Sequence, residues 1–201
     1  MADDDARESV PKRGEGDAPE GEGGAAAEPA PSRPADDVAA AVVARFPDAV
    51  FFVSHTQAVL NVPRRQWHEV AEFLRDEQQF TQCVDVTAVD HLVDAARLVA
   101  PGVDPERFEV VANFLSHPRN RRIRVICQVP IGDAVVSSLV DLYPGLNFAE
   151  REVFDMFGIA FDGHPDLTRI LMPDDWLGHP LRKDDAPARV PVTFKEDPRP
   201  Q

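Results

Sequence analysis

The chain has 201 residues, room for one domain with tails but not for two comfortable ones. Its 35 acids against 21 bases leave a net charge of −14, which argues against nucleic acid as the main ligand, because phosphate binding needs a surplus of Lys and Arg. No apolar run approaches the roughly 18–20 residues of a membrane span, and the opening MADDDARESV lacks the apolar stretch of a secretory signal.

Residues 1–37 hold 11 acids and 4 bases and no Phe, Trp or Tyr, while Ala, Gly and Pro fill 18 positions. Such a segment cannot bury enough apolar surface to offset its ordering entropy, so a disordered acidic tail is expected. Order should begin at Asp36-Asp37, which can cap a helix through Val38, Val42, Val43 and Phe46 ended by Pro47. AVFFVSHTQAVLNV then reads as two short strands, about 49–54 and 58–62, around a polar turn. Pro63 sits where a helix would start, with Trp67, Val70, Phe73 and Leu74 on one face. CVDVTAVDHL alternates like a strand, and ARLVAPGVDPE reads like a loop.

RFEVVANFLS and RRIRVICQVP are the two clearest strands, joined by an HPRN turn. Gly132-Asp133 is expected to open a helix, AVVSSLVDLY, closed by Pro144-Gly145. A last amphipathic helix is expected at 147–157, with Ala149, Val153, Met156 and Phe157 on one stripe and Gly158 as its stop. The pattern predicts an α+β single domain over 38–158 with a mostly antiparallel sheet and flanking helices.

Residues 159–201 carry 7 prolines and no sustained period, yet hold Ile159, Phe161, Leu167, Ile170, Leu171, Met172, Trp176 and Leu181. An extended segment with regularly placed large apolar groups suits a strap lying along another protein.

Few constellations could carry chemistry. Glu150-Arg151-Glu152 and Asp155 cluster on the last helix, where Arg151 and Asp155 stand i, i+4 and can pair. Paired carboxylates can do acid–base work, but a helix-surface charge network is the plainer reading, since no nucleophile accompanies them. His164 and His179 sit in two Gly-His-Pro repeats with Asp174-Asp175 between, a spacing open to a metal but better suited to specified turns. Arg119, Arg121, Arg122 and Arg124 form a basic knot in PRNRRIR, the last two reading as a strand's exposed face. Cys83 and Cys127 cannot alone hold an iron–sulfur cluster, and two reduced thiols are expected. The residues point to a binding or assembly protein.

The run Glu150-Arg151-Glu152-Val153-Phe154-Asp155-Met156-Phe157-Gly158-Ile159, continued by FDGHPDLTRILMPDDWLGHPLRKD, closely resembles the signature of the 30 kDa (C-subunit) family of proton-pumping NADH–quinone oxidoreductase, respiratory complex I. Weaker likeness runs through YPGLNFAE, RFEVVANFLS and DVTAVDHL, with Phe148 where many relatives carry Trp. The resemblance implies a peripheral-arm subunit on the cytoplasmic side of the cell membrane, without cofactor or metal of its own. FMN and iron–sulfur clusters belong to partner subunits, and this chain packs on the larger D subunit and near the B subunit. Its last segment would run extended over the D subunit, and arginine outnumbering lysine 18 to 3, the mark of a GC-rich genome, leans toward menaquinone as the quinone.

On this reading Arg151 is held by Glu150, Asp155 or a partner acid. Phe157, Ile159, Phe161, Leu171, Met172 and Trp176 are buried anchors. Arg169, Arg182 and Lys183 pair with acids on the D subunit, and Glu152, His164 and His179 complete the partner-binding set. The alternative is the equivalent subunit of a related membrane-bound hydrogenase or non-NADH quinone reductase.

Overall fold

The computed structural model describes residues 36–185, apart from positions 95 and 98. The expected acidic tail falls almost wholly outside the described residues, as do positions 186–201 of the C-terminal segment. Helix α1 (Asp37–Arg45) starts as anticipated, with the Asp36 carboxylate accepting the N–H groups of Val38 and Ala39 at 3.0 and 3.3 Å. Strands β1 (Val50–Ser54) and β2 (Gln57–Asn61) form the antiparallel hairpin, turned by His55 and Thr56, both at positive φ. Helix α2 (Trp67–Asp76) follows a short turn of helix entered from Pro63.

Strands β3 (Gln82–Asp90), β4 (Phe108–Ser116) and β5 (Arg121–Val129) make an antiparallel meander. Strand β2 pairs parallel to β5, so the sheet order is β1-β2-β5-β4-β3 with one parallel ladder. Period-2 alternation splits the sheet into faces. Phe108, Val110, Ala112 and Phe114 of β4 and Ile123, Val125, Cys127 and Val129 of β5 are buried in one core with Val38, Val42, Trp67, Val70 and Leu74 of the first two helices. Tyr143 closes that core, its hydroxyl donating to the Phe80 carbonyl at 2.8 Å and its ring 5.5 Å from Phe114.

One predicted element is wrong. AVVSSLVDLY is not a helix: β6 (Val135–Ser137) runs there, parallel to β7 (Ala160–Asp162). Two adjacent valines and two serines are poor helix formers, and pairing with a strand distant in sequence decides the outcome. Helix α3 (Asn147–Phe157) then packs against β3, leaving Val153, Met156 and Phe157 buried. The expected structureless stretch from 159 likewise begins with β7, whose Phe161 is buried, so the extended segment starts after Asp162.

Candidate partner-docking surface

Two acids of α3 are as deeply buried as its apolar stripe. Glu150 and Asp155 are both 0 % exposed, which corrects the expectation of a helix-surface charge network. The Glu150 carboxylate accepts the Ser138 hydroxyl at 2.6 Å and the Leu139 N–H at 2.7 Å. It thereby ties α3 to the turn after β6. Burial pushes its carboxyl up to about 7, against the downward pull of those two donors.

Asp155 faces the other way. One of its oxygens accepts three consecutive main-chain N–H groups, from Ile170, Leu171 and Met172, at 3.1, 2.8 and 2.9 Å. The other accepts the Arg169 guanidinium at 2.5 Å. Burial alone would raise this carboxyl, but the N–H cradle and Arg169 outweigh it and hold the group below the usual carboxylate range. The expected Arg151–Asp155 pair is therefore absent. Arg151 instead donates to the Thr168 carbonyl and hydroxyl and the Arg169 carbonyl, beside the same segment. The Asp155 carboxylate is engaged by the segment's N–H groups and Arg169, and Arg151 binds the carbonyls of the same segment instead.

A second buried acid secures the far end. Asp90 ends β3, where the inward register of Val86 and Ala88 turns it into the protein. Burial would raise it, yet Nε and Nη2 of Arg107 (3.0 and 2.8 Å) and the N–H groups of Lys183 and Leu92 bring its carboxyl to about 2. Arg107 also pairs with Asp184. Between these clips, Leu181 N–H donates to the Met156 carbonyl at 3.0 Å and Arg182 donates to the Phe157 carbonyl. His179 Nδ1–H donates to the Asp155 carbonyl at 3.0 Å, and Arg169 reaches the Gly178 carbonyl. Gly158 holds φ +70° at the end of α3, and a Cβ there would stand 2.5 Å from His179 Nε2. Only glycine admits both the turn and the close approach.

The two Gly-His-Pro repeats are backbone pins. His164 Nδ1 accepts the Asp166 N–H, so its Nε2–H donates to the Asn147 carbonyl at 3.2 Å. Among the described residues no group of three or more His, Cys, Asp or Glu side chains is placed to hold a metal. Cys83 and Cys127 are free thiols, and burial pushes the Cys83 thiol up to about 12.

The predicted docking residues thus divide. Glu150, Asp155, Phe157, Ile159 and Phe161 are buried in this chain, while Arg151, Arg169, His164, His179 and Arg182 hold the segment by hydrogen bonds. Met172 packs on the core from the rim, and Trp176 is half-buried. Glu152, Leu171 and Lys183 remain on the outside. The sequence reading missed Asp90, Arg107 and Ser138 as clip residues. It also missed Leu177, which the clamp turns outward at 90 % exposure beside the expected Leu171 at 57 % and Leu181 at 46 %, with Phe148 of α3 at 65 %. Large apolar side chains crowded on one pinned segment mark a surface meant to be covered.

An α+β sheet domain with a doubly clipped C-terminal segment is the class of molecule these features define. The chain belongs to the family described as respiratory-chain NADH dehydrogenase, 30 Kd subunit, whose model matches residues 60–190. It is 43 % identical over 145 residues to the C subunit of the NADH-quinone oxidoreductase of Herpetosiphon aurantiacus, covering 71 % of this chain and 79 % of that one. Against some longer relatives of the same name it spans only 48–56 % of their length. Among solved structures it resembles a trypsin-resistant fragment of Nqo5, with TM-score 0.56 and 30 % identity over 65 % of this chain and 96 % of the fragment. A chain of the membrane-bound sulfane sulfur reductase, an archaeal respiratory membrane complex, shares the fold at TM-score 0.60 and 23 % identity, covering 80 % and 94 %.

Proposed function

We propose that this chain is a non-catalytic peripheral-arm subunit of a proton-translocating NADH–quinone oxidoreductase. In that complex electrons pass from NADH through FMN and iron–sulfur clusters, all held by other subunits, to a quinone, with menaquinone the expected acceptor. The chain scaffolds the quinone-reducing D subunit and the cluster-carrying B subunit. It sits at the cytoplasmic face of the cell membrane through those partners. No helix among the described residues is long and apolar enough to cross a membrane itself.

The observation that carries this reading is the clipped segment. Asp155 and Asp90 commit two buried carboxylates to fixing residues 169–184 in one path, and that path presents Leu171, Leu177 and Leu181 to the outside. Preorganising an extended segment before binding removes ordering cost at the moment of association. The test is assembly: Trp176→Ala and Glu152→Ala should each lower the amount of intact complex in membranes while leaving the melting of the isolated chain unchanged. Normal assembly of both variants would sink the docking role.

The sulfane sulfur reductase fold supports a second reading, an equivalent subunit of a complex fed by a different donor. The proteins that co-purify discriminate: flavin- and NADH-binding subunits favour the first reading, their absence the second.

A further inference from the structure

On the sheet face turned away from the helices, the loop after β3 packs His91 and Arg97 against Glu109 at one end. At its other end three pieces meet: the His55-Thr56 turn, the β4–β5 turn and the start of α1. A groove of about 500 Å³ lies there, lined by Asp36, Thr56, Gln57, Asn120, Arg121 and Arg122. Arg119 and Arg121 are neutralised by Asp37 and Asp36 at the head of α1. Arg122 and Arg124, on the outer face of β5, have no carboxylate partner among the described residues. Arg122 is exposed and Arg124 reaches only the Asn113 amide oxygen, at 3.4 Å. A basic stripe left open on a chain of net charge −14 calls for an acidic occupant.

The chain carries one of its own. Residues 1–35 hold nine acids and four bases and enter the described fold at Asp36, which itself lines the groove. Within them GEGDAPEGE places Glu15 and Asp17, then Glu20 and Glu22, two residues apart. In an extended chain that spacing is about 6.6–7 Å, the same as between Arg122 and Arg124 on one strand face. Asp36 lies fourteen positions after Glu22, a reach of up to about 46 Å when extended.

We propose that residues 15–22 dock along the outer face of β5, setting their paired carboxylates against Arg122 and Arg124, so that the acidic N-terminal segment is this chain's own cover for the open end of its sheet. Each exposed pair is weak, and two pairs held at high local concentration by a short tether make an association that salt screens away. The family match spans residues 60–190, so the arginines lie inside it and the acidic segment outside it.

The test uses the full chain, labelled with nitrogen-15, in about 20 mM and about 500 mM NaCl, a range that shrinks the screening length several-fold. It is compared with a variant carrying Glu15→Gln, Asp17→Asn, Glu20→Gln and Glu22→Gln. At low salt the variant should shift the amides of Gln57, Asn113, Arg122 and Arg124 and the side-chain Nε–H signals of both arginines, leaving the rest in place. High salt should shift the unmodified chain to the same positions. Reciprocally, Arg122→Gln with Arg124→Gln should move the signals of Glu20 and Glu22. Superimposable spectra of chain and variant at low salt would overturn the proposal. Shifts that grow with protein concentration would overturn it too, by assigning the stripe to a second copy.

Discussion

Asp155→Asn is the sharpest probe of how the C-terminal segment is held. The carboxylate serves three main-chain N–H donors on one oxygen and Arg169 on the other. An asparagine can keep its single oxygen toward the three N–H groups, but its amide nitrogen then faces the Arg169 guanidinium, donor against donor. Three charge-assisted bonds become neutral, and a buried cation loses its partner. Bonds to a charged group contribute about 1 kcal/mol more than neutral ones, and breaking a buried pair costs about 3–5 kcal/mol, so a loss of at least about 3 kcal/mol is expected. Because Lys183 stays on Asp90 and Leu181 on Met156, the first release is local.

Hydrogen exchange at Ile170, Leu171 and Met172 should therefore speed up by at least about 10²-fold, one decade per ~1.4 kcal/mol. Exchange across β4 and β5 should change much less. Adding Arg169→Gln to Asp155→Asn should cost less than Arg169→Gln alone, since the cation is already unpartnered. Unchanged exchange at residues 170–172, with additive costs in the double variant, would refute the buried clip.

Three further outcomes follow from the same geometry. Glu150→Gln tests the second buried acid: its carboxyl titrates near 7 in the folded chain against 4.5 ordinarily, so the native state binds the extra proton between those values. Stability of the wild type should be full below about pH 4.5, fall by about 3 kcal/mol toward pH 7 and then level off, and urea melts of the Gln variant should lack that slope. Gly158→Ala forces a Cβ into φ +70° and onto His179, costing about 2–3 kcal/mol and lowering the melting temperature by roughly 5–10 °C, read by calorimetry; a shift under about 1 °C contradicts the close approach. Leu177→Asp touches a side chain 90 % exposed, so the isolated chain should melt within about 0.5 kcal/mol of wild type while recovery of assembled complex drops; full recovery would place Leu177 outside any interface.

Much of this architecture is legible in the chain because local and global preferences agree. The Asp36 cap, the SHTQ hairpin, the amphipathic face of α2 and the alternating β4–β5 pair each declare themselves by period and punctuation. The misread helix at 134–143 shows where that agreement ends. Its strand partner lies 25 residues further on, and no local period announces a parallel pairing. The docking surface divides on the same line. The signature run marks the right helix and segment, but spacing alone sends Arg151 to Asp155, whereas the fold sends three backbone N–H groups and Arg169 there instead. Asp90 did leave a trace, since it occupies the inward register of β3 after Val86 and Ala88, where a charged residue stays only if something pairs with it. Leu171 and Leu181 were legible as strap residues, but which apolar groups face out was not, because the clips decide which side of an extended segment is exposed.

That this chain joins a respiratory complex by its clipped segment is tested by affinity capture of the full chain from gently solubilised membranes. The eluate would be identified by mass spectrometry and assayed for quinone reduction by NADH. Co-elution of a quinone-reducing D-type subunit with quinone-dependent NADH oxidation is expected, and loss of both when Leu171, Leu177 and Leu181 are replaced together by Asp. Recovery of the chain alone from the soluble fraction, or capture unaffected by that triple replacement, would contradict it.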